Sequence, residues 1–378
     1  MTSVNAISNS CDDNEMHCIL CLKDFLKPRA ILMSALRYGI MRKNKVLIVY
    51  TGGTIGMVQD ENGSLHPFAL DRIYDAVPQL HACKYDIDSV TLEKIIDSSN
   101  MSPSMWADIA AIIERRYDDY DGFVVLHGTD TMAYTASALS FMFKNLGKPI
   151  ILTGSQLPLG MLRSDGRENI ISALEIASGQ EALIPEVCIF FENHLYRGNR
   201  STKLNAENFD AFGSYNYPSL AKVGINIRFK EHLFLPVPTE PLQVRKLFDT
   251  RVAVLKLFPG IGEGVVRALL GAKELQGAVI ETYGSGNAPT DEWFINALDD
   301  AIKRGIIVMN VTQCKAGAVK MRQYAASCDM DRIGVIGGGD ITIEAAITKM
   351  MYLLGTFPGD KEHVKMRLSQ SLRGEITE

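Results

Sequence analysis

Val46-Leu-Ile-Val-Tyr-Thr-Gly-Gly-Thr-Ile-Gly56 is an apolar, β-branched run that stops abruptly in hydroxyls and glycines. The residues from Val46 to Tyr50 leave no polar face, so the strand they form must be covered on both sides, as the strands of parallel sheets are. The turn that follows puts Thr51, Thr54 and glycine N–H groups at the carboxyl end of that strand, where open α/β sheets bind and transform small ligands. The design recurs twice: Phe123 to Leu126 runs into His127-Gly-Thr-Asp-Thr131, and Ile150 to Thr153 runs into Thr153-Gly-Ser-Gln156. One such turn is an ordinary strand-to-loop glycine with a hydroxyl beside it. Three of them on parallel strands converge on one crevice, with outward N–H groups suited to an anion.

Val187 to Phe191 is a further strand of the same kind, and helical stretches separate the strands. Ser102-Pro103 opens one helix with an N-cap serine and a proline at its first position, and Met105, Ile109, Ile112 and Ile113 form its expected buried stripe. Ala133 to Phe143 and Asn169 to Ala177 read as further helices. The βαβα order predicts an α/β protein: a larger N-terminal domain with a doubly wound, mostly parallel sheet, followed by a smaller C-terminal α/β domain. Residues 1–44 read as an N-terminal extension that need not be ordered, and residues 45–230 as the domain with the threonine turns. Residues 231–250, punctuated by Pro236, Pro238 and Pro241, read as a linker, and residues 251–378 as the second domain. Strands are expected there at Val252 to Leu257, Ala278 to Thr282 and Ile306 to Asn310, with helices near Glu263 to Leu270, Asp291 to Lys303 and Ile341 to Leu354.

The chain has 378 residues, 47% of them hydrophobic, and a net charge of −5 with scattered lysines and arginines. Such a chain buries a large core and lacks the basic patch that draws nucleic acid or an anionic membrane surface. No apolar run of about eighteen residues, the length of a spanning helix, occurs. The N-terminus also lacks the basic start and apolar centre of a secretory signal. Seven cysteines, an odd number spread from Cys11 to Cys328, do not make a disulfide framework and point to a reducing compartment. Cys18-Ile-Leu-Cys21 beside His17 is half of a zinc motif, but no second ligand pair follows at the right spacing, so no metal site is expected. Gly52-Gly-Thr-Ile-Gly56 departs from the glycine spacing of a dinucleotide loop, and no triphosphate-binding loop occurs, so no cofactor is expected.

Tyr50-Thr-Gly-Gly-Thr-Ile-Gly-Met57, Leu126-His-Gly-Thr-Asp-Thr-Met132, Thr153-Gly-Ser-Gln156 and Arg197-Gly-Asn-Arg-Ser-Thr-Lys203 resemble the successive motifs of bacterial-type L-asparaginases, specifically the cytoplasmic type I branch. Asp97-Ser-Ser-Asn-Met101, Tyr283-Gly-Ser-Gly-Asn-Ala-Pro289 and Thr312-Gln-Cys314 continue the resemblance in order, from about residue 45 to the C-terminus. It implies hydrolysis of L-asparagine to L-aspartate and ammonia, with Thr54 attacking the side-chain amide to give an acyl-enzyme. A threonine hydroxyl is a weak nucleophile and needs help. The resemblance sets Lys203 against Thr129, with Asp130 beside them, as a relay that moves a proton or activates the deacylating water. Lysine can act as that base only as the neutral amine.

The substrate is a zwitterion, and the resemblance gives its α-ammonium to Asp130, with Thr129, Asp97, Ser98 and Ser99 around the α-amino-acid end. Arg197 and Arg200 are expected to hold local carboxylates or the loop instead of substrate. A cytoplasmic, cofactor-free homodimer or homotetramer is implied. Minor glutaminase activity is expected too, because a pocket discriminates one methylene by only about 1–3 kcal/mol. The amidotransferase subunit that shares this hydrolase core carries a further N-terminal domain, for which the irregular stretch ahead of residue 45 is too short. A protein that only bound an amino acid would not require both threonines and the lysine.

Two positions depart from the family pattern. Aligning Gly63 with the family's loop glycine puts Ser64 where many members carry the tyrosine that closes over the nucleophile, with Phe68 and Tyr74 the next aromatics. The allosteric bacterial type I enzyme has an arginine ahead of its YGxGNAP motif that helps bind a second asparagine, and this chain has Glu281 there, although Thr202 and Cys314 remain. Weak or absent homotropic activation is therefore expected, and a clearly sigmoidal asparagine saturation curve would contradict it.

Overall fold

Burial of both faces governs the first strand: in β1 (Lys45–Gly52) every residue after Lys45 is buried. The computed structural model describes residues 42–59, 65–67, 73–323 and 325–378. Cys11, His17, Cys18, Cys21, Ser64 and Phe68, and most of the expected N-terminal extension, lie outside the described residues. After β1 come β2 (Asp86–Ile96), β3 (Gly122–Leu126), β4 (Ile150–Thr153), β5 (Val187–Phe191), β6 (His194–Arg197), β7 (Ala221–Lys222) and β8 (Arg228–Phe229). They form an 8-stranded sheet in the order β8-β7-β6-β5-β4-β3-β1-β2. Strands β2, β1, β3, β4 and β5 are parallel, and β6, β7 and β8 extend the far edge antiparallel.

Alternate residues of the central strands feed opposite cores. Leu47, Val49, Phe123, Val125, Ile150 and Leu152 pack under α1 (Pro103–Arg115) and α2 (Met132–Met142). Val46, Ile48, Val124, Leu126 and Ile151 pack under α3 (Gly166–Ala177), so the sheet is doubly wound. The chain passes from β1 outward to β2 and then back across to β3, which makes the β1/β3 boundary the point where the winding reverses. Ligands of open α/β sheets bind at that boundary, outside the carboxyl ends of the strands. Register levels those ends: Tyr50 stands opposite Leu126, and Leu126 opposite Thr153.

Two local readings change. On α1 the buried face is Trp106, Ile109, Ala110 and Ile113, so Met105 and Ile112 of the expected stripe sit at its margins. The helix is turned toward its tryptophan, whose indole N–H is buried and bonds to Thr135 Oγ1 at 3.0 Å. Strand β2 was not expected, because as an edge strand it buries only Leu92 and Ile96 and carries polar residues elsewhere.

Strands β9 (Val252–Lys256), β10 (Gly277–Thr282), β11 (Ile307–Thr312) and β12 (Ile336–Gly337) form a parallel 4-stranded sheet. Helices α4 (Glu263–Leu270), α5 (Glu292–Lys303) and α6 (Ala325–Ile333) supply one of its cores. The opposite face takes α7 (Ile343–Thr356) and α8 (Lys361–Leu368), together with Phe141 from α2 of the first sheet. Phe141 stacks on Tyr352 with ring centroids 6.1 Å apart, so the two sheets share apolar packing. The proline-rich stretch between the sheets is tied down: Gln243–Val244 pairs antiparallel with Phe143–Lys144, and Leu235 N–H donates to Glu186 at 2.5 Å. No helix among the described residues is long and apolar enough to cross a membrane.

Candidate active site

The turns that leave β1, β3 and β4 touch one another through their backbones. Gly52 and Gly53 have φ of +123° and +86°, values that side-chain-bearing residues rarely adopt. A methyl on Gly53 would lie 2.5 Å from the Gly128 backbone, and one on Gly52 would lie 2.1 Å from Ile96 O. A methyl on Gly154 would lie 2.3 Å from His127 O, and one on Gly128 would lie 2.5 Å from Ser98 Oγ. Four loops therefore meet at a spacing that only glycine permits. Thr51 Oγ1 donates to Leu126 O at 3.0 Å and Thr131 Oγ1 to Ser98 O at 2.7 Å, fastening the loops across their seams.

Lys203 arrives from the two-residue strand Thr202–Lys203, which pairs with Phe212–Gly213. Its amine donates to Thr129 Oγ1 at 2.8 Å and to Asp130 Oδ1 at 2.7 Å. Having accepted from lysine, the Thr129 hydroxyl donates to Gln156 Oε1 at 3.2 Å. Gln156 is itself held, its Nε2 donating to Asn208 O and its N–H to Asp165, at 3.1 and 3.0 Å. The result is a directional chain from Lys203 through Thr129 to Gln156. The lysine side chain is 19% exposed and the Asp130 side chain 63%, so the amine is sheltered while the carboxylate faces outward.

Thr54 is half-buried at the first position of the 3₁₀ turn Thr54–Gly56 and is not bonded to Thr129 or Lys203. Tyr50 braces that turn: its phenol donates to Gly56 O at 3.1 Å, and burial pushes it up to about 12, so the donor proton stays. Asp97 accepts from Ser99 N–H at 2.8 Å, capping the turn Ser98–Asn100, and this bond holds its exposed carboxyl below the usual carboxylate range. Ser98 is buried against Gly128, whereas Ser99 is exposed. The structure thus joins Thr129, Asp130 and Lys203 by direct bonds. It brings Thr54 alongside them through the Gly53–Gly128 contact, and Ser98 through its own contact with Gly128. Arg197 pairs with Glu186 at 2.5 Å and Arg200 with Asp340 at 2.9 Å, as local carboxylate partners.

His127 went unassigned in the sequence. Its ring is fully buried, with Nδ1 2.6 Å from Gly128 O and Nε2 2.9 Å from Thr135 Oγ1. Burial pushes the imidazole down to about 4, so it is neutral. A carbonyl can only accept, hence Nδ1 carries the proton and Nε2 accepts from Thr135, which in turn accepts from Trp106 Nε1. Helices α1 and α2 thereby hold the peptide between Gly128 and Thr129. Gln156 could have been found at the end of the third glycine turn; no spacing in the sequence links Trp106 to His127.

Residues 45–234 match the family description "Asparaginase, N-terminal", and residues 251–366 match "Glutaminase/Asparaginase C-terminal domain". The chain is 46% identical to L-asparaginase 1 of Escherichia coli strain K12, over 89% of this chain and 99% of that protein. It is 43% identical to the 60 kDa lysophospholipase of Homo sapiens, over 89% of this chain but 62% of that protein. Among solved structures, L-asparaginase I from Vibrio cholerae superposes with a TM-score of 0.82 at 43% identity, over 89% of this chain and 100% of that one.

Folding lowers the affinity of His127 for a proton. An unfolded imidazole protonates near 6.5 and the buried one only at about 4, so between these values the unfolded chain binds the extra proton and acidification favours unfolding. Urea titrations from pH 6.5 down to pH 4 are expected to show the wild type losing roughly 3 kcal/mol more stability than His127→Gln. Parallel losses in the two proteins would contradict the assignment.

Proposed function

The chain belongs to the asparaginase family, and on that footing we propose that it hydrolyses L-asparagine to L-aspartate and ammonia with Thr54 as nucleophile. The observation that carries this reading is the Lys203 amine bridging Thr129 Oγ1 and Asp130 Oδ1, at the winding reversal of the sheet and beside Thr54. Asp130, the exposed partner, takes the α-ammonium of the substrate, while Thr129, Ser98 and Ser99 offer hydrogen bonds to its α-carboxylate and Asp97 adds a second negative charge at the ammonium end. This anchoring puts the side-chain amide over the β1 turn. Thr54 Oγ1 then adds to the amide carbon as its proton passes to the amide nitrogen, and glycine-turn N–H groups are the natural donors to the oxyanion. The C–N bond breaks, the nitrogen leaves as ammonia with an added proton, and an ester remains on Thr54. Water attacks that ester and releases aspartate.

Thr129 is tied to Lys203 and Gln156, so its hydroxyl can pass protons to the departing nitrogen and take them from the incoming water. The side chains around the crevice, Ser98, Thr129, Asp130, Gln156 and Lys203, are polar, which favours a small zwitterion over the acyl chain of a lysophospholipid. Glutamine, longer by one methylene, is a minor substrate.

In this reading residues 45–230 form the catalytic domain, residues 231–250 the linker and residues 251–378 the second domain. The enzyme works in the cytoplasm, in keeping with the free cysteines Cys83, Cys188, Cys314 and Cys328. Ammonia release from asparagine and glutamine tests the chemistry: Thr54→Ala, Thr129→Val and Lys203→Met should each lose at least ~10³-fold in kcat, and near-normal turnover by Thr54→Ala would sink the mechanism. We further propose a homodimer or homotetramer, as family membership across both domains supports; a monomeric mass by light scattering in a fully active preparation would refute that.

A further inference from the structure

Beyond α8, residues 371–377 form a strap that follows residue 366, the last residue matched by the C-terminal domain description. Its anchor is a buried ion pair. Lys349 of α7 and Glu375 have side chains 0% exposed, with Nζ and Oε1 2.7 Å apart. Lys349 Nζ also donates to Leu368 O and Gln370 O at 2.9 and 2.5 Å, and the Glu375 carboxylate accepts from the N–H groups of Leu372 and Arg373 at 2.9 and 2.7 Å. Charges this deep persist only when their donors and acceptors are matched, so the pair dictates one path for the strap.

The strap grips the turn that precedes Lys203. Asn199 Nδ2 donates to Arg373 O at 2.9 Å, Arg200 Nε to Gly374 O at 2.7 Å, and Arg200 Nη2 to Thr377 Oγ1 at 3.0 Å. Thr377 reaches Asp340, the ion partner of Arg200, through its N–H at 2.8 Å and its hydroxyl at 2.6 Å. Gly374 has φ of +75°, and a methyl there would lie 2.3 Å from Arg197 Nη1, so the strap rests flat on that guanidinium. Asn199, Arg200 and Ser201 are 0%, 2% and 0% exposed, and the strand Thr202–Lys203 begins immediately after them.

We propose that Gly374, Glu375 and Thr377 are positioning residues for Lys203: the strap holds the Gly198–Arg200 turn at the depth from which the lysine amine meets Thr129 and Asp130 together. The strap bears on the backbone leading to Lys203 and not on Thr54, Asp97 or Ser98. Loosening it therefore slows the steps that Lys203 serves and leaves asparagine binding in place. This inference rests on the proposed role of Lys203.

The test measures kcat and KM for asparagine in full-length Gly374→Ala and Thr377→Val, each alone and combined with Lys203→Met, with thermal unfolding as the check on folding. Thr377→Val leaves the buried ion pair and the glycine intact and decides the matter if Gly374→Ala does not fold. Gly374→Ala should lose ~10-fold or more in kcat and Thr377→Val about 3-fold, with KM within about twofold of wild type. Neither should lose anything further in the Lys203→Met background, because coupled positions are not additive. Unchanged kcat in the folded variants, a loss confined to KM, or full additivity with Lys203→Met would overturn the strap's role while leaving the chemistry at Thr54 and Lys203 standing. Normal turnover by Lys203→Met alone would overturn the relay itself, and the strap's role with it.

Discussion

The close approach of four backbone turns is the constraint from which the site follows. Gly53 lies on Gly128, Gly52 on Ile96, Gly154 on His127, and Ser98 is wedged against Gly128, each at a distance where a methyl group would overlap its neighbour. Level registers bring the ends of β1, β3 and β4 to the same height, and the glycines then let the loops close the remaining gap. Thr54 and Thr129 come from strands that share a ladder, so their placement inherits the rigidity of the sheet. Neutral His127, bonded to Gly128 O and reached through Thr135 from Trp106, carries that rigidity from the helices into the turn itself.

The ion pairs at the site and the strap divide into two kinds according to what surrounds them. Arg197–Glu186, Arg200–Asp340 and Lys349–Glu375 are closed, with side-chain exposures of 5%/1%, 1%/13% and 0%/0%. Breaking a pair of this kind leaves an uncompensated buried charge, a loss on the order of 3–5 kcal/mol, so they specify conformation. Lys203–Asp130 is open on one side, its carboxylate 63% exposed. A pair with one solvent-facing member can admit a second cation, and an amino acid supplies one. The closed pairs occupy the turn before Lys203 and the strap that braces it, next to the open pair they set in place.

Legibility in the sequence tracked the range of the interactions. Strands β1, β3, β4 and β5 were readable because continuous β-branched runs have few other solutions, and the threonine turns were readable because glycine and hydroxyl stand next to each other in the chain. Strand β2 was not readable, since an edge strand keeps a polar composition that mimics a loop. The buried face of α1 differs from its sequence period by one side of the stripe, because the position of Trp106 is settled by a partner on another helix. The strap has no period or motif of its own; Arg200 and Gly374, which define it, are 174 residues apart.

By itself the sequence determined the central strands and the helices that cover them, that the sheet is covered on both faces, and which hydroxyls, carboxylates and amines are available for chemistry. These are properties of period, composition and neighbouring residues, and a linear chain displays them directly. Only the tertiary structure decided that Lys203 meets Thr129 and Asp130 within 2.8 Å, that His127 is a neutral donor, and that the last residues of the chain hold the turn before the lysine. Each of these depends on burial and on angstrom-scale distances between residues far apart in sequence, and the packing of the folded chain creates both.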